Sequence, residues 1–547
     1  MKRVVGIALR KALEGLGVEA PASVEIEIPR EESMGDLSTP VAMGLARTLK
    51  RPPREIAEKI ARGIPDEGMF ERVEVAGPGF INFTFRESFL RSELSRLLKE
   101  GPSFLRVDVG RQRKVQIEYV SANPTGPLHL GHGRGAAVGG ALSNLLEAAG
   151  FDVTREYYVN DAGLQVKLLG QSVLARYRER LGLPAEFPED GYRGDYVGDI
   201  ARAIFEAEGE RFKDATFEEA GQFFVDFSLN MMLRDICDDL ASFGITFDNW
   251  QSERALYDSG AVKHAIELLD GKGLIYEKDG AIWFRAMEFG EDKDRVIIKS
   301  DGEHTYFASD IAYHAKKIEG GYDELIDIWG ADHHGYIPRL EAVIEALGYE
   351  KERLKVLLVQ MVSLQRGGQP VQMSKRAGEF VTLREVIQEV GADTTKFIFL
   401  TRRPDSQLTF DIEAAKAASA ENPVYYVQYA NARINSIFAH AREQGAPAEG
   451  LESADLSPLS EAEETRLIKK LLYYPMAFEA AALSREPHRI TFYLQEIAGI
   501  FHPYYNTHRV VTDDPALTAA RLALCGAVRM VIKEGLRILG ITAPDRM

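Results

Sequence analysis

The alternation of apolar and polar positions divides this chain into elements before any other property is considered. In "PPREIAEKIARGI" (52–64) the prolines suit a helix start, and Ile56 and Ile60 recur at i, i+4. "VEVAGPGFINFTF" (73–85) reads as two short strands around a Gly-Pro-Gly turn, so the first hundred residues are expected to be α+β. A strand is predicted at "KVQIEYV" (114–120), a helix through "AAVGGALSNLLEAAG" (136–150) and a second strand at "DVTREYYV" (152–159). Strand, loop, helix, strand is how a doubly wound parallel sheet begins, and such sheets bind ligands at the carboxyl ends of their strands. The charged stretch 165–235 reads as mainly helical and as an insertion. Later strands are expected at "VIIKS" (296–300), "LIDIWGAD" (325–332) and "KVLLVQMVSL" (355–364), with a helix at "RLEAVIEALG" (339–348). From about 421 helical spacing takes over, in segments at 424–444, 461–484, 488–502 and 515–540. The pattern thus predicts an α+β domain over 1–105, a doubly wound (Rossmann-type) α/β domain over 106–420 and an all-α domain over 421–547.

Composition narrows the class. At 547 residues the chain exceeds one core, and a hydrophobic share of 45% is that of a protein with ordinary water-excluding cores. No run of 18 apolar residues predicts a membrane span, and the start "MKRVVGIALRKALEGLG" lacks the apolar centre of a signal peptide. Cys237 and Cys525 are the only cysteines and form no CxxC, which argues against disulfides and thiolate zinc and fits a reducing, cytoplasmic compartment. No long heptad repeat is visible, so a monomer is expected. The net charge of −17 looks adverse to a polyanion partner. It is unevenly spread, however: residues 1–105 carry 16 basic and 16 acidic side chains, residues 421–547 carry 13 and 15, and the excess acid falls in the middle. Either end is therefore free to present a basic face, although a solvated mixed surface explains the same counts.

The densest chemistry lies in "SANPTGPLHLGHGRG" (121–135), where His129 and His132 stand three apart among glycines. A zinc site would need further ligands, and none lies close by in sequence. A turn accounts for Pro124, Gly126 and Pro127 but not for the histidines. A phosphate site accounts for more, because glycines admit close backbone approach, a helix start offers free N–H groups and histidines donate to the same oxygens. Far downstream, "QMSKRAGEF" (372–380) places Lys375 beside Ser374, a plausible loop for phosphate contact. In the last domain "PVYYVQYANARI" sets Tyr425, Tyr429 and Arg433 at helical spacing, suited either to stacking single-stranded bases or to a helix packing tyrosines inward.

The "HLGH" element followed far downstream by "MSKR" resembles the paired signatures of class I aminoacyl-tRNA synthetases. Within that class, "SANPTGPLHLGHGRGAAVGGAL", "YYVNDAGLQ", "GYRGDYVGDIA", "FDNWQSE", "YFASDIAYH", "WGADHHGYIPR", "YVQYANARI" and "ITAPDRM" resemble the arginyl-tRNA synthetase family. The resemblance implies that L-arginine and Mg-ATP give arginyl-adenylate, and that the arginyl group then passes to the terminal ribose of tRNA-Arg. It implies ATP contacts from Asn123, Pro124, Thr125, Gly126, His129, Gly131, His132, Gly133, Met373 and Lys375, with His129, His132, Ser374 and Lys375 in the catalytic roles. Glu118, Ser121, Asn123 and His132 match residues near the arginine's amino and carboxylate end. A guanidinium is a planar, permanently charged fork of donors and wants a carboxylate, for which Asp310 is the leading candidate, with Tyr306 one turn before it and Asp332 a further one. Residues 1–105 fit the family's additional tRNA-binding domain, and residues 421–547 its anticodon-binding domain, with Tyr425, Tyr429 and Arg433 as RNA contacts. No zinc is implied. One departure stands out: the first lysine of the KMSKS-type loop is Gln372 here, which places more of the phosphate contact on Lys375. Two rivals remain at this point: a ligase that activates a small acid without RNA, and a non-catalytic relative that only binds RNA or arginine.

Overall fold

Five parallel strands carry the middle of the chain in the computed structural model, which describes all residues except 22, 66, 372–380 and 420. Strand β1 (Lys114–Glu118) leads through a loop into helix α1 (Leu130–Ala148) and back to β2 (Asp152–Val159). Three helices follow, α2 (Leu164–Arg180), α3 (Asp195–Glu208) and α4 (Phe217–Ser242), before β3 (Asn249–Ser252). They pack about their own apolar cluster, with Tyr177 and Phe224 at its centre, so the charged stretch after β2 folds as an insertion. After α5 (Tyr306–Glu319), β4 (Glu324–Gly330), α6 (Ile337–Ala346) and β5 (Leu354–Val359) complete the sheet. Its order is β5-β4-β1-β2-β3. The connection from β1 runs one way to β2, while β4 lies on β1's other side. The crevice between the carboxyl ends of β1 and β4 is thus the topological switch point.

Two expected strands are placed elsewhere. Arg295–Ile298, within the "VIIKS" region, pairs antiparallel in a small sheet with Ala281–Phe284 and Ile275–Lys278. "KVLLVQMVSL" breaks at Gln360: β5 stays in the central sheet, and Val362–Arg366 joins Gln369–Pro370 and Leu408–Asp411. A physical cause lies in α1. The Arg134 guanidinium is fully buried and donates to the carbonyls of Gln360 (2.9 Å) and Arg403 (2.9 Å). Burial lowers that guanidinium to about 10, and the two carbonyls pin the chain at the break.

Close packing against its neighbours explains two of the glycines in α1. A Cβ on Gly139 would lie 2.2 Å from Cγ of Tyr119, and one on Gly133 would lie 2.6 Å from Cδ1 of Leu383. The N-terminal region combines helices Lys2–Gly15, Val41–Leu49, Pro53–Gly63 and Glu87–Glu100 with a sheet of Leu37–Thr39, Phe80–Phe85 and Phe70–Ala76.

Helix α7 (Leu383–Val390) precedes the C-terminal region, which consists of α8 (Pro423–Glu443), α9 (Ala462–Leu472), α10 (Tyr474–Ser484), α11 (His488–Thr507) and α12 (Pro515–Ile538). Helix α12 is long and apolar enough by composition to cross a membrane, a property not expected from the sequence. It is instead the core helix of this region, with Leu522, Cys525, Val528, Val531 and Ile532 buried. Ion pairs bind this region to the rest: Arg485 grips Glu324 at the start of β4 through Nε (3.1 Å) and Nη2 (2.5 Å), and Arg106 grips Glu534 at 2.8 Å.

Candidate functional site

The loop after β1 and the first turn of α1 form one side of the switch-point crevice. His129 is the N-cap of α1, and its Nδ1 accepts from the backbone N–H of Gly131 at 3.1 Å. Nδ1 of His132 accepts from the N–H of His129 at 3.3 Å. The two rings stack with centroids 3.6 Å apart. With Nδ1 accepting in both, a neutral ring carries its proton on Nε2, so both histidines are set as donors at a helix N-terminus, where negative charge is favoured. The loop before them is held from the insertion: Tyr196 donates to the carbonyl of Thr125 at 2.7 Å and lies against Gly126. Asn123 is clamped between Asn160 (2.6 Å) and Gln165 (2.7 Å).

Met373, Ser374 and Lys375 lie outside the described residues. Just beyond them in the chain, Thr382 bridges to His129, and the N–H of Leu383 donates to the carbonyl of Leu128 at 2.8 Å. Thr382 and Leu383 thus lie directly against the first motif, although some 250 positions separate them from it in sequence.

The other side of the crevice belongs to β1, α5 and β4. Val120 and Ser121 take positive φ values of 69° and 38°, conformations that cost roughly 1–3 kcal/mol each in non-glycine residues. The kink turns Ser121 Oγ to donate to Glu118 Oε1 (2.9 Å) and accept from the N–H of Tyr158 (3.1 Å). Asp310 lies in the second turn of α5, where Thr305 holds the N-cap position. Its Oδ2 accepts from the Tyr336 hydroxyl, and burial raises its carboxyl above the ordinary range despite that bond and the nearby His314 and Arg339. Tyr306, one turn before Asp310, is 69% exposed and lies beside Gly163. Asp332 sits on the exposed turn after β4, with His333 Nε2 3.7 Å from its carboxylate.

The structure therefore brings Glu118, Ser121 and Asn123 of the first motif to the same end of the sheet as His129, His132, Tyr306 and Asp310. It leaves Asp332 on the rim. Sequence reasoning missed Tyr336, which caps Asp310, and Asn160 and Gln165, which clamp Asn123. It also missed Lys317, His314 and Asp327. A signal for Asp327 existed, since a lone aspartate inside the apolar run of "LIDIWGAD" must find a buried partner. Among the described residues no group of three His, Cys, Asp or Glu side chains is arranged to hold a metal.

On α8, Tyr425 and Tyr429 stack with centroids 5.7 Å apart, and the Arg433 guanidinium lies 4.6 Å from both the Tyr429 and Tyr505 rings. Arg433 also bonds His502 at 3.1 Å. The three occupy the half-exposed face of the helix. A cavity of about 400 Å³ opens beside Tyr425, lined also by Lys416, Gln428 and Met547.

A doubly wound sheet with two donor histidines at its switch-point helix defines the class, and residues 93–439 match the family model for the class I (R) tRNA synthetase catalytic domain. Residues 4–85 match the arginyl-tRNA synthetase N-terminal domain, and residues 427–547 the DALR anticodon-binding domain. The chain belongs to the arginyl-tRNA synthetase family. It is 52% identical to the arginine–tRNA ligase of Syntrophotalea carbinolica, covering 100% of this chain and 99% of that one. Identity to the arginine–tRNA ligase of Aquifex aeolicus is 46%, covering 100% of both. The arginyl-tRNA synthetase of Thermus thermophilus shares the fold at a TM-score of 0.78 and 23% identity, with full coverage of both chains.

Proposed function

We propose that this protein is a monomeric arginine–tRNA ligase of the cytoplasm that joins L-arginine to tRNA-Arg in two steps. In the first, an oxygen of the arginine carboxylate attacks the α-phosphorus of Mg-ATP, forming the acyl-phosphate bond and releasing pyrophosphate. In the second, a hydroxyl of the terminal ribose attacks the arginyl carbonyl and releases AMP. The substrate supplies the nucleophile in both steps, so the protein's task is to position anions and stabilise developing charge. His129 and His132 donate to the triphosphate from the start of α1, and Gly131 and Gly133 admit the adenosine. Met373, Ser374 and Lys375 meet the phosphates from the second motif. Asp310 faces the guanidinium, flanked by Tyr306 and Tyr336, with Asp332 at the rim. Ser121, Asn123 and Glu118 define the end at which the amino acid's own charges lie.

Residues 1–105 and 421–547 hold the RNA, and Tyr425, Tyr429 and Arg433 offer stacking surfaces to unpaired bases. The observation that carries this reading is the juxtaposition of a half-buried, hydroxyl-capped carboxylate, Asp310, with two donor histidines across one switch point. It is tested by arginine-dependent ATP–pyrophosphate exchange with and without tRNA-Arg, together with charging of that RNA. Exchange is expected only when tRNA-Arg is present. An arginine-activating enzyme that charges no RNA would favour a small-acid ligase, and absence of both activities a binding-only relative. Tyr425→Ala and Tyr429→Ala are each expected to weaken charging by about 1–3 kcal/mol, the usual worth of one stacked base.

A further inference from the structure

Helix α5 presents a polar stripe to the sheet. Asp310, Tyr313, His314 and Lys317 fall at i, i+3, i+4 and i+7, which is one face of a helix. Such a stripe normally faces water, yet Lys317 and His314 are each only 2% exposed. The Lys317 ammonium donates to Glu118 Oε2 at 2.6 Å and to Asp327 Oδ1 at 2.7 Å, and lies 4.2 Å from the centroid of the Tyr313 ring. Asp327 Oδ2 faces His314 Nε2 at 3.1 Å, and His314 Nδ1 faces the carbonyl of Asp310 at 2.8 Å. Both ring nitrogens of His314 thus meet acceptors, an arrangement that only the doubly protonated ring satisfies while Asp327 is ionised.

Burial opposes the charge on Asp327, but Lys317 and His314 hold its carboxyl down at about 2. Burial likewise pulls Glu118 upward, against the ammonium 2.6 Å away. That ammonium is itself held in its charged form by the two carboxylates it faces.

We propose that His314 and Lys317 are positioning residues for the arginine pocket: with Asp327 and Glu118 they form one buried, charge-balanced row that fixes α5 against β1 and β4. The proposal rests on the reading of Asp310 and Ser121 as arginine contacts. Its mechanical content is specific. One end of the row is the Asp310 backbone, one residue unit from the carboxylate that Tyr336 caps. The other end is Glu118, which fixes the Ser121 hydroxyl beyond it. The spacing between the guanidinium end and the amino-acid end of the pocket is therefore set by three ionic hydrogen bonds and one to the Asp310 carbonyl, in series. A row of buried charges is weak as a stabiliser, because desolvation offsets the attraction. Its strength is geometric, since each oxygen and each ring nitrogen has one partner and a shifted register leaves a charge unpaired. The half of the site that binds ATP has no member in the row.

The test is steady-state charging by Lys317→Met, by the neutral double variant Lys317→Met with Asp327→Asn, and by Lys317→Arg. The first two are expected to raise the KM for arginine about 10-fold or more while the KM for ATP stays within about 2-fold. Lys317→Arg, which keeps a cation between the carboxylates, is expected to recover part of the arginine affinity. The double variant removes one charge of each sign and so keeps the net charge of the row, where the single variant leaves an excess negative charge; circular dichroism checks that each is folded. A folded double variant with the parent's KM for arginine would overturn the proposal, as would equal losses for arginine and ATP. In the parent, long-range proton–nitrogen correlation of the His314 ring is expected to show a proton on each nitrogen, as the two facing acceptors require. A singly protonated ring would overturn the charge balance whatever the variants do. If the parent itself does not use arginine, the underlying reading of the site fails instead, and the two failures are distinct.

Discussion

The two sides of the switch-point crevice are built on different principles. On the nucleotide side, the start of α1 offers two stacked histidines, and Thr382 bridges to His129. On the amino-acid side, α5, β1 and β4 are tied by buried ionic hydrogen bonds from Glu118 through Lys317 and Asp327 to His314. The difference arises from what each side has to recognise. A triphosphate is a spread of negative charge that any set of aligned donors can meet, and those donors act most strongly as charge develops in the transition state. An arginine side chain must be told from lysine and citrulline. That discrimination comes from leaving the wrong ligand's partners unpaired, which requires a carboxylate that cannot move.

Three substitutions sharpen this contrast. The largest effect is expected from Asp310→Asn, which should lower kcat/KM for arginine by roughly 10³–10⁴-fold and narrow the gap to citrulline. The same carboxyl is raised by burial, and its ionised form is the one that meets a guanidinium. The parent's kcat/KM for arginine should therefore fall as pH drops, along a limb lying above the ordinary carboxylate range, and the Asn variant should lose that limb. Arginine use at the parent's level in Asp310→Asn would move the guanidinium contact elsewhere.

On the nucleotide side, His129→Ala is expected to lower kcat by roughly 10²–10³-fold, with little change in KM for arginine. Single-turnover measurement of adenylate formation separates this from a binding effect. A loss confined to arginine affinity would erase the distinction between the two sides. The smallest effect concerns what both sides share. Gly139→Ala pushes a methyl group into the Tyr119 ring at the end of β1, and should cost about 1–3 kcal/mol of stability, read as a lower Tm. Because Tyr119 packs on α1 and also leads into the Val120–Ser121 kink, any change in activity should affect arginine and ATP alike.

Much of the nucleotide side was legible in the sequence. His129, Gly131, His132 and Gly133 follow one another on a single turn, so local spacing already placed them at a helix start after a strand. The helices of the last domain were legible too, because their apolar period is regular and their boundaries carry proline or a cap. The arginine side was legible only as isolated residues. Asp310 and Glu118 lie 192 positions apart, and neither sequence neighbourhood reveals the link that runs from Glu118 through Lys317, Asp327 and His314 to the Asp310 carbonyl. Beside Lys316 on a helix, Lys317 reads as a solvated charge.

By itself, then, the sequence determined the parallel-sheet class, the order of the domains, the histidine motif and the family. Only the tertiary structure decided that α5 turns its polar stripe inward, that "KVLLVQMVSL" divides between two sheets, and that Tyr336 rather than Asp332 covers Asp310. The physical reason is common to all three. Local propensity fixes which residues share a face, but which face is buried depends on where distant partners stand. A charge enters the interior only where such partners, here Glu118 and Asp327 around Lys317, are already in place.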